Sequence, residues 1–188
     1  MVRPTPPTDR LLVAGLLAAA AVALGCLAGG AGATVVTTCR AAADSDARVD
    51  YGFCVAELGN HRESPDADTW GLAKVAALTG VNNADDAVYD AKALLARPGA
   101  TDGPARAALE RCAKLYDSMG FTFAEAEDEI NNRRYAAGKG KVAEAASLAH
   151  QCDDALAKAG AVPSPLATHS SYSMKIATVC TAITNLIK

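Results

Sequence analysis

Four stretches between residues 66 and 188 carry small or apolar residues at alternating spacings of three and four, and this pattern constrains the fold more than anything else in the chain. Such alternation marks the buried seam of a helical bundle. The first seam is Trp70, Ala73, Ala77, Gly80, Ala84, Ala87, Ala91 and Leu94, widened by Val81, Val88 and Leu95. The second is Ala105, Leu109, Cys112, Tyr116, Met119, Phe123, Ala126 and Ile130, and the third is Val142, Ala145, Ala149, Cys152, Leu156 and Ala159. The fourth is Leu166, His169, Ser173, Ile176, Cys180, Ile183 and Ile187. Breakers separate them: Pro65 and Asp66 before the first, Arg97-Pro98-Gly99 after it, Asp102-Gly103-Pro104 before the second, Gly160 after the third and Ser164-Pro165 before the fourth. Connections of about 5 to 10 residues place consecutive helices side by side and antiparallel. The expectation is an all-α, up-down-up-down four-helix bundle over residues 66–188.

Ahead of the bundle, residues 35–62 read as two shorter helical pieces, 35–43 and about 49–58, separated by an Asp44-Ser45-Asp46 turn. No alternating strand pattern is present. The seams are poor in large side chains: 34 alanines fall in the 155 residues that follow Ala33. Helices can therefore approach closely, but each buries little apolar area.

The first 33 residues belong to export rather than to the fold. Arg3 and Arg10 precede an apolar run over residues 11–27, and Ala31, Gly32 and Ala33 form a small-residue cleavage site, the layout of a secretory signal peptide. A membrane anchor needs about 18 or more apolar residues; this run has 17 and is rich in alanine. No second long apolar run follows, so the protein is expected to be free of the membrane after cleavage, with residues 34–188 forming one domain. Removing Arg3, Asp9 and Arg10 from 18 positive and 21 negative residues leaves 16 and 20, a net charge of −4. A nucleic-acid partner calls for a basic face, and the sole basic cluster is Arg133, Arg134, Lys139 and Lys141. Nucleic acid is therefore not an expected partner.

Cys26 leaves with the signal peptide, and Cys39, Cys54, Cys112, Cys152 and Cys180 remain. In an exported chain an even set is expected to pair. None of the spacings resembles the short C-x2-C of a zinc site, so disulfides are preferred to a metal. Four cysteines allow three pairings. Locality favours Cys39 with Cys54, which would close the hairpin, and Cys112 and Cys152 both fall on bundle seams where a bridge can join two long helices. Cys180 also lies on a seam and reads as a buried small hydrophobe rather than a reactive thiol.

A search for catalytic chemistry finds none. His61, His150 and His169 lack metal-ligand spacing, and there is no nucleophile elbow, P-loop or dinucleotide fingerprint. Gly138-Lys139-Gly140-Lys141 reads as a basic interhelical loop. The carboxylate pairs Asp85-Asp86 and Asp153-Asp154 and the run around Glu125 read as solvated faces. No cofactor or metal is expected, and a small stapled bundle without an active site points to a binding module.

Particular segments carry a more specific signal. Cys39-Arg40, Asp50-Tyr51-Gly52-Phe53-Cys54-Val55-Ala56-Glu57-Leu58, Ser64-Pro65-Asp66-Ala67-Asp68, Gly71-Leu72-Ala73, Ala108-Leu109-Glu110-Arg111-Cys112 with Tyr116, and Ala145-Ala146-Ser147-Leu148-Ala149-His150-Gln151-Cys152 together resemble the plant invertase and pectin methylesterase inhibitor family. The likeness runs over residues 39–187. It implies a hairpin closed by Cys39–Cys54, a bundle bridged by Cys112–Cys152 and a free Cys180. It further implies an apoplastic, non-enzymatic inhibitor that binds a cell-wall carbohydrate enzyme one to one and blocks its cleft.

The family divides by target. Invertase-directed members resemble one another in a Pro-Lys-Phe motif after the second bundle helix, whose lysine enters the enzyme. The corresponding stretch here, Arg133-Arg134-Tyr135, lacks the proline but keeps a cation beside an aromatic. Members directed at pectin methylesterase are similar in covering the esterase cleft with the flanks of bundle helices. The resemblance thus implies pectin methylesterase as target, with acid invertase as the alternative and a non-inhibitory, allergen-like or signalling bundle as a second one. Exposed candidates for target binding are Asp117, Glu125, Asp128 and Glu144, beside Arg133, Arg134 and Tyr135.

Overall fold

The computed structural model describes residues 34–97 and 103–188. The expected signal peptide, residues 1–33, and the Pro98, Gly99 and Asp102 breakers lie outside the described residues. Six helices follow in order: α1 (Val35–Ser45), α2 (Tyr51–Gly59), α3 (Thr69–Leu95), α4 (Gly103–Asn131), α5 (Tyr135–Lys158) and α6 (Ala167–Leu186). The described residues contain no strand.

Helices α1 and α2 form the hairpin, and each begins with a side-chain cap. Thr34 and Thr37 make a reciprocal capping box on α1. The Asp50 carboxylate accepts the Phe53 N–H at 3.1 Å to start α2. Helix α1 runs two residues past the expected boundary, through Ser45, because the last-turn carbonyl of Ala42 accepts both the Asp46 N–H and the Ser45 hydroxyl, each at 2.9 Å. The Cys39–Cys54 disulfide bridges α1 and α2 with Cα atoms 5.8 Å apart.

Helices α3 to α6 form the bundle as a closed ring, α3 against α4, α4 against α5, α5 against α6 and α6 back against α3; α1 lies on α6. Cys112–Cys152 pins α4 to α5 with Cα atoms 4.9 Å apart. The predicted seams are the buried faces. Ala73, Ala77, Ala84, Ala87 and Ala91 of α3 are fully buried, as are Leu109, Tyr116, Met119, Phe123 and Ile130 of α4. Val142, Ala145, Ala149 and Leu156 of α5 and Ile176, Cys180 and Ile183 of α6 complete the core. Bulk comes mainly from α4 and α6, while α3 and α5 supply alanines that let them approach.

Three further boundaries differ from the sequence reading. Helix α3 starts at Thr69 rather than beside Pro65, because Asp68 caps it through a 2.8 Å bond from the Gly71 N–H. Helix α6 starts at Ala167, after Pro165. The largest difference is at Gly138-Lys139-Gly140-Lys141, which is not a loop: α5 already begins at Tyr135, and only Asn132, Arg133 and Arg134 connect it to α4. Glycine at 138 makes the short connection feasible. A Cβ there would lie 2.8 Å from Ile130 Cγ1 and 3.3 Å from the Ala126 carbonyl oxygen, so the first turn of α5 can lie against the last turns of α4 only without one. Among the described residues no helix is long and apolar enough to cross a membrane.

Candidate functional site

Helix α4 carries one continuous outward stripe: Lys114, Asp117, Phe121, Glu125 and Asp128, all exposed and spaced by three or four. Three of these are carboxylates named from the sequence. The fourth acidic candidate, Glu144, is exposed on α5. Lys141 of α5 joins the two helices at this face, with Nζ 2.8 Å from Glu125 Oε2 and 3.2 Å from Glu144 Oε2. Its ammonium holds its proton more tightly than an ordinary lysine, first through the bond to Glu125 and then through that to Glu144. The structure thus joins Glu125 and Glu144 at the α4–α5 junction, with Asp128 farther along the same exposed stripe of α4, while Asp117 lies toward α3, bordering a cavity with Val88 and Lys92.

Phe121 was missed in the sequence. It is 70% exposed at the centre of that stripe, four residues from Asp117 and from Glu125. The signal was available: once Met119, Phe123 and Ala126 occupy the seam, a 3.6-residue period puts residue 121 on the opposite face.

The connection between α4 and α5 is a separate cluster. Arg133 adopts a positive φ of 61°. Its guanidinium stacks over Trp70 at 4.4 Å from the ring centroid, and its Nη1 donates to the Tyr135 hydroxyl at 3.1 Å. Lys74 approaches the same indole at 4.3 Å, and the Trp70 Nε1–H donates to the Ile130 carbonyl at 3.0 Å. Arg134 clasps both carboxylate oxygens of Glu129. That pairing holds the Glu129 carboxyl below its ordinary range and the Arg134 guanidinium above its own. Arg133, Arg134 and Tyr135 are therefore grouped together, but both cations are committed to partners within the chain.

The remaining polar groups knit helices together. The Asn83 amide donates to the His169 carbonyl at 3.1 Å and to Ser173 Oγ at 2.8 Å. The His169 ring lies 3.2 Å from Asn83 Oδ1 through Nδ1 and 2.9 Å from Asp90 Oδ2 through Nε2. The Tyr172 hydroxyl donates to Glu57 Oε2 at 2.5 Å, tying α6 to α2. Glu57, His61, Asn83, Asp86, His169 and Tyr172 border a shallow cavity of about 420 Å³. Its one histidine with two ring contacts is engaged by Asn83 and Asp90 and does not face a hydroxyl nucleophile. His150 is exposed on α5. Cys180 is buried, and burial pushes its thiol up to about 12. Among the described residues, no group of three or more His, Cys, Asp or Glu is placed to hold a metal ion.

A family model described as "Plant invertase/pectin methylesterase inhibitor" matches residues 33–183. The chain belongs to this family. "Pectinesterase inhibitor 8" of Oryza sativa subsp. japonica is 63% identical over 162 residues, covering 86% of this chain and 87% of the relative. "Pectinesterase inhibitor 12" of the same organism is 46% identical over 170 residues, covering 90% of this chain and 81% of the relative. A crystal structure of a mutant form of a pectin methylesterase inhibitor from Arabidopsis superposes with a TM-score of 0.62 at 18% identity. It covers 83% of this chain and 99% of that one, and at this identity it shows a shared fold. The family is one of inhibitors rather than enzymes. The functional question for this inhibitor is therefore which surface meets which enzyme.

Proposed function

We propose that residues 34–188, released from a signal peptide and exported to the cell wall, inhibit pectin methylesterase by laying the outer face of α4 and α5 over its active-site cleft in a one-to-one complex. The observation that carries the choice of target is the 63% identity, over 86% of the chain, to a relative named as a pectinesterase inhibitor. The α4–α5 connection supports the same choice. An inhibitor that places a cation in an invertase site needs that cation free, whereas Arg133 rests on Trp70 and Arg134 is paired with Glu129. Two disulfides fit an oxidising extracellular compartment.

The mechanism needs no bond-making. The Cys112–Cys152 bridge fixes α4 against α5, so the acidic face is ordered before it meets the enzyme, and less entropy is lost on binding. Asp117 and Asp128 would pair with basic groups around the cleft, Glu125 and Glu144 would lie beside them held by Lys141, and the helices themselves would exclude the polymer. Preserved methyl esters on pectin are the consequence in the wall.

The test is methanol release from esterified pectin by a purified plant pectin methylesterase, with and without the purified 34–188 protein, beside an acid invertase assay. Stoichiometric inhibition of the esterase alone is expected. Inhibition of invertase alone would move the target, and inhibition of neither would leave a non-inhibitory bundle.

A further inference from the structure

We propose that Phe121 is the apolar anchor of this inhibitory face, seated in an apolar recess of the esterase whose rim carries basic side chains. The inference rests on the esterase reading above and names the residue on which it turns.

The chain has three phenylalanines. Phe123 is fully buried against α3, and Phe53 packs edge-on against Tyr172 with ring centroids 5.0 Å apart. In a core made largely of alanine, large apolar side chains are the scarce material, yet the third phenyl is turned outward at 70% exposure. A phenyl has no polar atom to satisfy in water, unlike Tyr89, the other strongly exposed aromatic, whose hydroxyl can be hydrated.

The surroundings match those of an interface hot spot: one aromatic at the centre and a polar ring that water leaves on docking. Asp117 and Glu125 lie one turn away on either side and Asp128 two turns away. Asp85 of α3 reaches the adjoining backbone, since a Cβ on Gly120 would stand 3.6 Å from its Oδ1. Lys141 offsets part of the charge by pairing with Glu125 and Glu144. The surplus is acidic, so the recess that accepts Phe121 must be rimmed by cations rather than carboxylates. The backbone is firm here: Gly120 and Thr122, on either side, are buried, and α4 is bridged to α5 nine residues earlier, at Cys112.

The roles separate kinetically. Removing apolar bulk from the centre of an interface raises the dissociation rate, whereas rim charge chiefly sets the association rate and its salt dependence. Phe121→Ala should weaken inhibition by roughly 30-fold or more, through faster dissociation, and Phe121→Leu should fall between the two. Both should melt with wild type because the ring is exposed. Asp117→Asn with Asp128→Asn should instead slow association and flatten its salt dependence, and Val162→Ala, 75% exposed between α5 and α6, should change nothing. Wild type inhibiting the esterase while Phe121→Ala stays within about threefold, the range expected of a peripheral contact, overturns the anchor alone. Wild type failing to inhibit overturns the esterase reading and the anchor with it.

Discussion

A Cβ placed on Gly80 of α3 would lie 2.7 Å from Cδ1 and 2.8 Å from Cδ2 of Phe123 on α4. The ring is fully buried, so it cannot swing out into solvent without leaving the core. Alanine in a helix interior is ordinarily better than glycine by about 1 kcal/mol, but overpacking a core costs about 1 to 3 kcal/mol. Gly80→Ala is therefore expected to lower the melting temperature. Phe123→Leu combined with it should cost less than the two single changes added together, because each relieves the contact made by the other. Additive losses would mean that the two positions do not press on one another.

The Cys112–Cys152 bridge closes a separation of 40 residues and Cys39–Cys54 one of 15. Loop-closure entropy puts these at about 4 and about 3 kcal/mol respectively. The longer loop also joins two core helices, whereas the shorter one lies in the hairpin. Cys152→Ser should consequently lower the urea midpoint more than Cys54→Ser. The reverse order would show that the hairpin, through its packing on α6, governs the cooperative unit.

Acid should loosen the hairpin in a defined window. The Asp46 carboxyl is held at about 2, first by its side-chain bond to Arg48. Asp50 is also lowered, first by the Phe53 N–H that it caps and then by Lys175. Both are depressed below the unfolded value of about 4. Their stabilisation is thus complete above that value and is lost as pH falls from about 4 towards 2, because the unfolded chain then takes up protons the folded chain resists. Melting temperature should drop across that interval. Asp50→Asn retains a capping oxygen but cannot titrate there, so it should make the drop shallower.

Most of the fold was legible because alanine seams leave few alternatives: once Ala73, Ala77, Ala84 and Ala87 share a face, that face must be buried, and it is. Seams supported pairing Cys112 with Cys152 but did not single them out, because Cys180 lies on a seam too; the full set of partners was what the family resemblance implied. Helix ends were less legible. Gly138 and Gly140 read as loop because glycine is a poor helix former; at Gly138 the advantage that outweighs this, close approach of α5 to Ile130, is tertiary and invisible in local pattern, while Gly140 has open space around it and nothing in the structure explains its glycine. The acidic candidates could be assigned to exposed faces, but Glu125 and Glu144 could not be joined to one another, because their joining depends on Lys141 reaching from α5 to Glu125. The commitment of Arg133 to Trp70 depends likewise on residues 63 positions apart in the chain.

Cys180 gives a test of burial that is independent of function. Its Sγ lies 3.5 Å from the Ala73 carbonyl within the α3–α6 contact, and burial raises the thiol to about 12. The thiolate is the reactive form, so at pH 8 the native protein should resist an aromatic disulfide reagent and release one equivalent only after denaturation. Rapid labelling of the folded protein would place Cys180 outside the core.

Asn83 is 7% exposed and joins α3 to α6 through two donated bonds, to the His169 carbonyl and Ser173 Oγ. Ser173 is itself fully buried, and its hydroxyl faces Met119 Sδ at 3.3 Å. Removing the amide strands the polar groups it served, which costs about 1 to 3 kcal/mol, whereas replacing both partners by apolar side chains of similar shape can be nearly neutral. Asn83→Leu should accordingly destabilise by about that amount, and adding Ser173→Val should restore part of it. The rescue should be incomplete, because the His169 carbonyl and Nδ1 would still lack the Asn83 amide. Equilibrium urea unfolding of the single and double variants measures this directly: a double variant weaker than Asn83→Leu alone would show that packing around Met119, rather than the hydrogen bonds, holds this junction.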